Sequence, residues 1–311
     1  MARIPDPSTS ADPADSRERE LAERVRFSRA ELDAAAPMES AAIEPEDSEP
    51  SPSAAAHAGS RKVPAPRDFE PLRIASYNIH RCIGTDARRN VSRVANVILE
   101  LGCDTVGLQE VDSRPGPHSD SRQLEFLAKA TGMQAVAGST IIRHDRAYGN
   151  ALLTTRKILA VRQHDLSFKG HEPRGALEVD LDVAGSLMRV FVMHLGLWPS
   201  ERRYQMRIVL RVLREMPLDQ PVVVLGDINE WLPIGRPLRW LHGLLGTPPR
   251  MRTFPVWAPM FALDRVWVRP RGSLLDMSVH RSELSRIASD HFPIKAVVAP
   301  EAVALRERLR P

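Results

Sequence analysis

Asn78, Glu110, His194, Asp227, Asn229, Asp264, Asp290 and His291 are scattered along the chain, yet each stands where an apolar run ends, begins or is interrupted. They occur in short polar groups: Tyr77-Asn78-Ile79-His80, Gln109-Glu110, Met193-His194-Leu195, Gly226-Asp227-Ile228-Asn229, Leu263-Asp264 and Ser289-Asp290-His291-Phe292-Pro293. Together they supply carboxylates, carboxamides and two imidazoles, with no thiolate cluster. Hard oxygen ligands of this kind suit Mg²⁺ or Mn²⁺ rather than zinc. A cation that clamps anionic oxygens, a group that orients water and a donor for the leaving oxygen are the parts phosphoryl transfer needs.

Such residues can act together only if the fold brings distant strand ends to one edge. Leu72 to Tyr77 reads as a buried strand ending at Asn78, and Thr105 to Leu108 as a second ending at Gln109-Glu110. Val94, Val97, Ile98 and Leu101 recur at helical spacing, so Val91 to Leu101 is expected to be a helix closed by Gly102. A second helix is expected from Ser121 to Ala130, and a basic amphipathic one from Ser200 to Met216. Strands are expected at Asn150–Thr155, Leu159–Leu166, Leu177–Val183, Leu187–Met193, Pro221–Leu225, Leu263–Val268, Leu274–Val279 and Ile294–Val298. In the third of these, Leu177, Val179, Leu181 and Val183 alternate with Glu178, Asp180 and Asp182, which predicts one wet face. Helices and strands mix without strict alternation, so two packed sheets with helices outside fit the pattern.

The chain has 311 residues, 43% hydrophobic and 26% charged, an ordinary globular balance. Charge is uneven. Acidic residues outnumber basic ones 15 to 9 over residues 1–70 and are outnumbered 24 to 34 in the rest. A basic body attracts polyanions such as phosphate-bearing substrates, although an arginine-rich composition alone would produce the same balance. Residues 1–70 are rich in Ala, Pro, Ser, Asp and Glu and are expected to be a disordered tail. Within it, Ser28 and Glu31 have capping-box spacing before a short helical stretch. Residues 71–300 form the expected folded domain, and 301–311 a C-terminal tail. Cys82 and Cys103 lie in no metal-binding pattern. No secretory core opens the sequence and no run of about 18 apolar residues appears. The expectation is a cytoplasmic monomer with two free thiols and no stable membrane insertion.

In this order, each at a strand end, the motifs resemble those of the endonuclease/exonuclease/phosphatase superfamily, the DNase I-like metal-dependent phosphoesterases, over roughly residues 72–298. The resemblance implies an α/β fold, a four-layer αββα sandwich. It implies that Glu110 is the principal ligand of Mg²⁺ (or Mn²⁺), with Asn78 beside it and Asp290 assisting. Asp227 would orient or activate water and Asn229 would hold a phosphate oxygen. His291 would contact the scissile phosphate with Asp264 fixing its tautomer, and His194 would stabilise the phosphate or protonate the leaving group. Asn150 is a candidate to orient His194 or meet substrate, and Arg174 a candidate phosphate contact. Abasic-site endonucleases of the superfamily carry Asp and Tyr where this chain has His80 and His194, which argues against that activity. The expected function is Mg²⁺/Mn²⁺-dependent phosphoester hydrolysis, nuclease-like and directed at a phosphoester substrate such as a nucleic acid. The alternatives are a phospholipid or sphingomyelin-type phosphodiesterase, an inositol-phosphate phosphatase, and a non-catalytic binding protein on the same scaffold. Trp231, Trp240 and Trp257 lie near Asp227 in sequence and could pack a loop, stack on bases or meet a lipid interface.

Overall fold

The first helix forms where sequence predicts it, and its ends explain why. Asn90 precedes it in extended conformation and its side chain accepts the Arg93 backbone N–H, at 2.8 Å. Gly102 closes it in the left-handed region, at φ 58°. Its apolar stripe, including Val94, Val97, Ile98 and Leu101, is buried. In this computed structural model the described residues are 71–113, 122–143 and 146–299. The expected tails, and the helix expected around Ser28–Ala36, lie outside them.

In chain order the described elements are β1 (Leu72–Asn78), α1 (Val91–Leu101), β2 (Thr105–Ser113), α2 (Gln123–Thr131), β3 (Gln134–Arg143), β4 (Arg146–Thr154), β5 (Lys157–Asp165), β6 (Gly175–Val183) and β7 (Ser186–His194). They continue with α3 (Pro199–Glu215), β8 (Val222–Asp227), α4 (Arg236–Leu245), β9 (Asp264–Arg269), β10 (Leu274–Val279), α5 (Ser285–Ala288) and β11 (Ile294–Val298). One sheet runs β10-β11-β1-β2-β4-β3 and the other β5-β6-β7-β8-β9.

Each sheet carries apolar side chains on both faces, and this makes four layers. Inward-facing Ile74, Leu152, Val190, Val192, Val223 and Leu225 interdigitate in the central core. On the outer face of the first sheet, Tyr77, Val106 and Leu108 pack under Val94 and Ile98 of α1 and Leu127 of α2. On the outer face of the second, Phe191, Val224 and Trp267 pack under Met206 and Val209 of α3 and Leu241 of α4. Each such side chain contributes about 1.5–3 kcal/mol on burial. The expected αββα sandwich is thus the observed fold.

Connectivity sends the chemistry to one edge. β1-α1-β2 and β7-α3-β8 are parallel units, with Asn78 opposite Gln109 and His194 opposite Asp227. β9 runs antiparallel to β8 and begins there, Asp264 pairing with Asp227. β11 runs antiparallel to β1, so Asp290 and His291 just before it reach the same end.

One expectation needs correction, and two elements had none. β6 has no wet face along Glu178 and Asp180, both of which are buried. Arg162 and Arg189 on the flanking strands lie 2.6 Å from Asp180, and His164 lies 2.6 Å from Glu178. Charge pairing, not water, balances the alternation. β3 has no counterpart among the expected strands, and residues between Asp227 and β9 form α4, with Pro237 in its first turn where a missing N–H costs nothing. Among the described residues no helix is long and apolar enough to cross a membrane, and Cys82 and Cys103 form no disulfide.

Candidate active site

The site is assembled around Asn78, which is buried at the end of β1. Its carboxamide donates to Glu110 Oε1 and to Asp227 Oδ2, each at 3.1 Å, while its own oxygen accepts the His80 N–H at 3.0 Å. That backbone donor fixes which end of the amide faces the carboxylates. The chain then turns through three left-handed residues, His80, Arg81 and Cys82. Asn78 therefore acts as a strut that joins the two sheets' carboxylates.

Glu110 sits in a bulge where the β2–β4 register shifts between Leu108 and Val111. Its φ is 59°, a conformation that costs a non-glycine residue about 1–2 kcal/mol. The bulge turns its carboxylate to the strand-end cleft. Asn229 is also left-handed, at φ 51°, but asparagine tolerates that region better. Gly226, just before Asp227, has φ 144°, and a Cβ there would lie 1.8 Å from the Met193 carbonyl oxygen. Only glycine lets β8 approach β7 so closely before the aspartate.

Asp227 is buried and accepts the Asn229 N–H at 2.9 Å. Burial, with Asp264 nearby, raises its pKa from 3.8 to about 6, although His291, Asn229 and Asn78 pull the other way. His194 is buried 3.6 Å from Asp227. Burial first, then the charges of Arg174 and His291, holds it well below its ordinary 6.5, so the ring is neutral. A neutral imidazole has one acceptor nitrogen, yet this ring meets two donors. Arg174 Nη1 lies 3.0 Å from Nδ1, and Asn229 Nδ2 lies 3.0 Å from Nε2. Turning the Asn229 amide over would set its oxygen against the Leu195 carbonyl, to which it now donates at 2.8 Å. Donors from Arg174, His194 and Asn229 therefore converge, with Glu172 3.4 Å from Arg174 and Asp227 3.6 Å from His194 as the neighbouring carboxylates, and a donor cluster of this kind suits an anion.

Asp264 is fully buried and stands 2.8 Å from His291 Nδ1. Thr253 donates to the same carboxylate oxygen, while Oδ1 is buried without a partner among the described residues. Burial opposes a charge on His291, but Asp264, helped by Asp227 and Asp290, outweighs it and raises the pKa from 6.5 to about 10. Phe254 covers the imidazole at a centroid distance of 4.7 Å. Asp290 is more open and lies 3.8 Å from His80 Nδ1.

One oxygen or nitrogen atom each from Asp227, Asp264 and His291 falls within 4.8 Å of the others. Asp264 already engages His291 Nδ1 at 2.8 Å, so this trio is arranged for sharing a proton. Glu110 fits a hard cation better. Its carboxylate is partly open, Asn78 orients it, and the surrounding set is oxygen-rich without thiolate.

Most of the residues expected from sequence meet here. Asn150 does not: its amide donates to the backbone carbonyls of Gly175, at 2.8 Å, and Val192, at 3.4 Å. It ties the two sheets together and is not bonded to His194. Arg174 is bound to His194 rather than lying solvated in its loop. Sequence reasoning missed Thr253 and Phe254, which sit in a loop with no periodic signal. Ser289 was quoted in its motif without a role; its hydroxyl donates to the Asn78 carbonyl at 2.7 Å, tying the loop before β11 to the end of β1.

The sequence matches the Endonuclease/Exonuclease/phosphatase family over residues 75–291. It is 28% identical over 245 residues to YbhP of Escherichia coli (strain K12), covering 73% of this chain and 96% of that protein. Among solved structures, an endonuclease/exonuclease/phosphatase from Beutenbergia cavernae superposes with a TM-score of 0.59 at 22% identity, covering 74% of this chain and 72% of that one. A mannosyl-6-phosphatase from Bacteroides thetaiotaomicron gives 0.56 at 18%, covering 73% and 99%. These likenesses give the fold, and the superfamily comprises metal-dependent phosphoesterases. With the motifs in order on this sandwich and the match spanning the site, the chain belongs to the endonuclease/exonuclease/phosphatase family.

Proposed function

We propose that this chain hydrolyses phosphodiesters with Mg²⁺ or Mn²⁺. The observation that carries the reading is the convergence of donors at Arg174, His194 and Asn229, facing Asp227 and the His291–Asp264 pair. A phosphoryl group there would supply the acceptors those donors need. Arg174 and Asn229 would hold its oxygens. Asp227, with a pKa of about 6, is ionised at neutral pH and basic enough to take a proton from attacking water. His291, held as imidazolium, would face the charge that develops on phosphorus-bound oxygen, and neutral His194 would donate a hydrogen bond. Glu110, steadied by Asn78, would hold the cation, which would supply Lewis-acid neutralisation of the phosphate.

The basic body supports a nuclease-like substrate. Exposed Trp231, whose ring meets the Phe254 that covers His291, favours instead the phospholipid or sphingomyelin-type reading. The completeness of the set argues against a purely binding role.

Release of p-nitrophenol from bis-p-nitrophenyl phosphate, with Mg²⁺, with Mn²⁺ and with chelator, tests the reading. Metal-dependent turnover is expected, and Glu110→Gln should lower it about 10²-fold or more while leaving the fold intact. Turnover unaffected by chelator, or by Glu110→Gln, refutes it.

A further inference from the structure

Three loops that leave the site edge of the second sheet carry an unusual load of exposed apolar side chains. Of fifteen large apolar side chains exposed among the described residues, seven lie in these loops. The β7–α3 loop gives Leu197 and Trp198, 61% and 63% exposed. The β8–α4 loop gives Trp231, Leu232 and Ile234, and the loop before β9 gives Trp257 and Met260. Ile234 and Trp257 are each 76% exposed. An apolar concentration of this kind, exposed to water, marks an interaction site.

The loops are tied to one another and to the chemistry. Arg202 bridges the first two, donating to the Leu197 carbonyl and to Glu230. Trp231 meets Phe254 and Phe261 at centroid distances of 5.7 and 4.8 Å, and Phe254 lies against His291. The first two loops flank a groove of about 590 Å³ that also presents Arg203 and Arg236. Glu230 is the one carboxylate lining it, and Arg202 occupies that group. The rim is thus apolar at its tips and cationic behind them.

We infer that this rim docks on an anionic phospholipid surface, so that the adjoining cleft meets a phosphoester borne by a membrane amphiphile. Residue chemistry selects this occupant. Leu197, Leu232, Ile234 and Met260 are aliphatic, and gain by leaving water for hydrocarbon but offer no face for stacking bases. Trp198 and Trp257 are suited to the headgroup boundary, where an indole places an apolar body beside a polar N–H. Arginines behind them complement lipid phosphates. Docking would be peripheral, through loops. The docking surface stands on the rim alone; the substrate class rests also on the phosphodiesterase reading.

The test uses the full chain, wild type and W198S/W257S, sedimented with vesicles of phosphatidylcholine alone or with 30% phosphatidylglycerol, an amount on the order of natural anionic lipid content. The same proteins are assayed on bis-p-nitrophenyl phosphate and on the vesicle lipids. Wild type is expected to bind the anionic vesicles and to lose affinity as salt rises. The double variant should bind at least about tenfold more weakly, with its melting temperature and its rate on the soluble diester unchanged. Absence of wild-type binding, or equal binding by the variant, overturns the proposal. So does a salt-sensitive affinity for DNA that the two substitutions abolish while vesicles are ignored, or a dimer that they convert to monomer. If vesicles are bound but neither their lipids nor the soluble diester is cleaved with either metal, docking stands and the hydrolase reading fails. If the soluble diester is cleaved but vesicles are not bound, the hydrolase reading stands and docking fails.

Discussion

Asp264→Asn isolates the charge that holds His291 protonated. The substitution keeps the side chain's size and a hydrogen-bonding oxygen beside Thr253, and removes the carboxylate 2.8 Å from Nδ1. A histidine raised from 6.5 to about 10 has its imidazolium favoured on the order of 10³-fold. In chelator-treated wild type the His291 ring should therefore remain doubly protonated at pH 8. In Asp264→Asn, burial still opposes the charge while its main partner is gone, so the pKa should fall towards its ordinary value. Proton-detected nitrogen shifts of the ring report this directly. Linkage gives a second readout. A group whose folded pKa is raised stabilises fully below its unfolded value and loses that contribution as pH climbs through the folded one. Wild-type stability should decline between pH 6.5 and about 10 through this group, and the variant's decline should be shallower. Turnover at pH 7.5 should drop about 10²–10⁴-fold. A wild-type ring that titrates near 6.5, or a variant with unchanged turnover and pH slope, refutes the reasoning.

Two further outcomes follow from the packing. Asn150→Ala should cost about 1–3 kcal/mol in denaturant unfolding, because two inter-sheet carbonyls lose a donor, yet turnover on a soluble diester should stay within about threefold; a 100-fold loss at unchanged stability would make it a site residue. Gly226→Ala places a carbon 1.8 Å from the Met193 carbonyl oxygen and should destabilise by roughly 3 kcal/mol or more. A melting temperature within about 2 °C of wild type would count against the close β7–β8 approach.

What could be read from sequence divides along physical lines. Strand ends were legible because apolar runs stop abruptly at Asn78, His194 and Asp227, and a stop in burial is a stop in pattern. α1 was legible to the residue because both its caps are local. β6 was legible as a strand but not in its surroundings: alternation reports polarity, and polarity paired across strands by Arg162 and Arg189 looks the same as polarity facing water. β3 ran unread through Gln134, Gly138 and Ser139, where no alternation announces it. Thr253 and Phe254 were invisible because their roles depend on a loop folding back over His291, which no period encodes. Asn150 shows the converse: a carboxamide near the site is of a type that could do chemistry, but its partners in the structure are backbone carbonyls of the other sheet.

The same contrast explains the design of the edge. Each sheet contributes a parallel β-α-β unit, and the two units meet through Asn78, whose amide bonds to a carboxylate from each sheet. Neither carboxylate rests in a relaxed setting. Glu110 is held at positive φ, and Asp227 is buried beside a second carboxylate. Asn78 bonds to both, while Asp264 beside Asp227 keeps one buried oxygen without a partner among the described residues. A cation at Glu110 and an anion at Arg174, His194 and Asn229 would complete what the fold leaves short. Strain and unmet polarity thus concentrate where ligand would relieve them, while the Asn150 bonds tie the two sheets together and Gly226 lets β7 and β8 close up beside them.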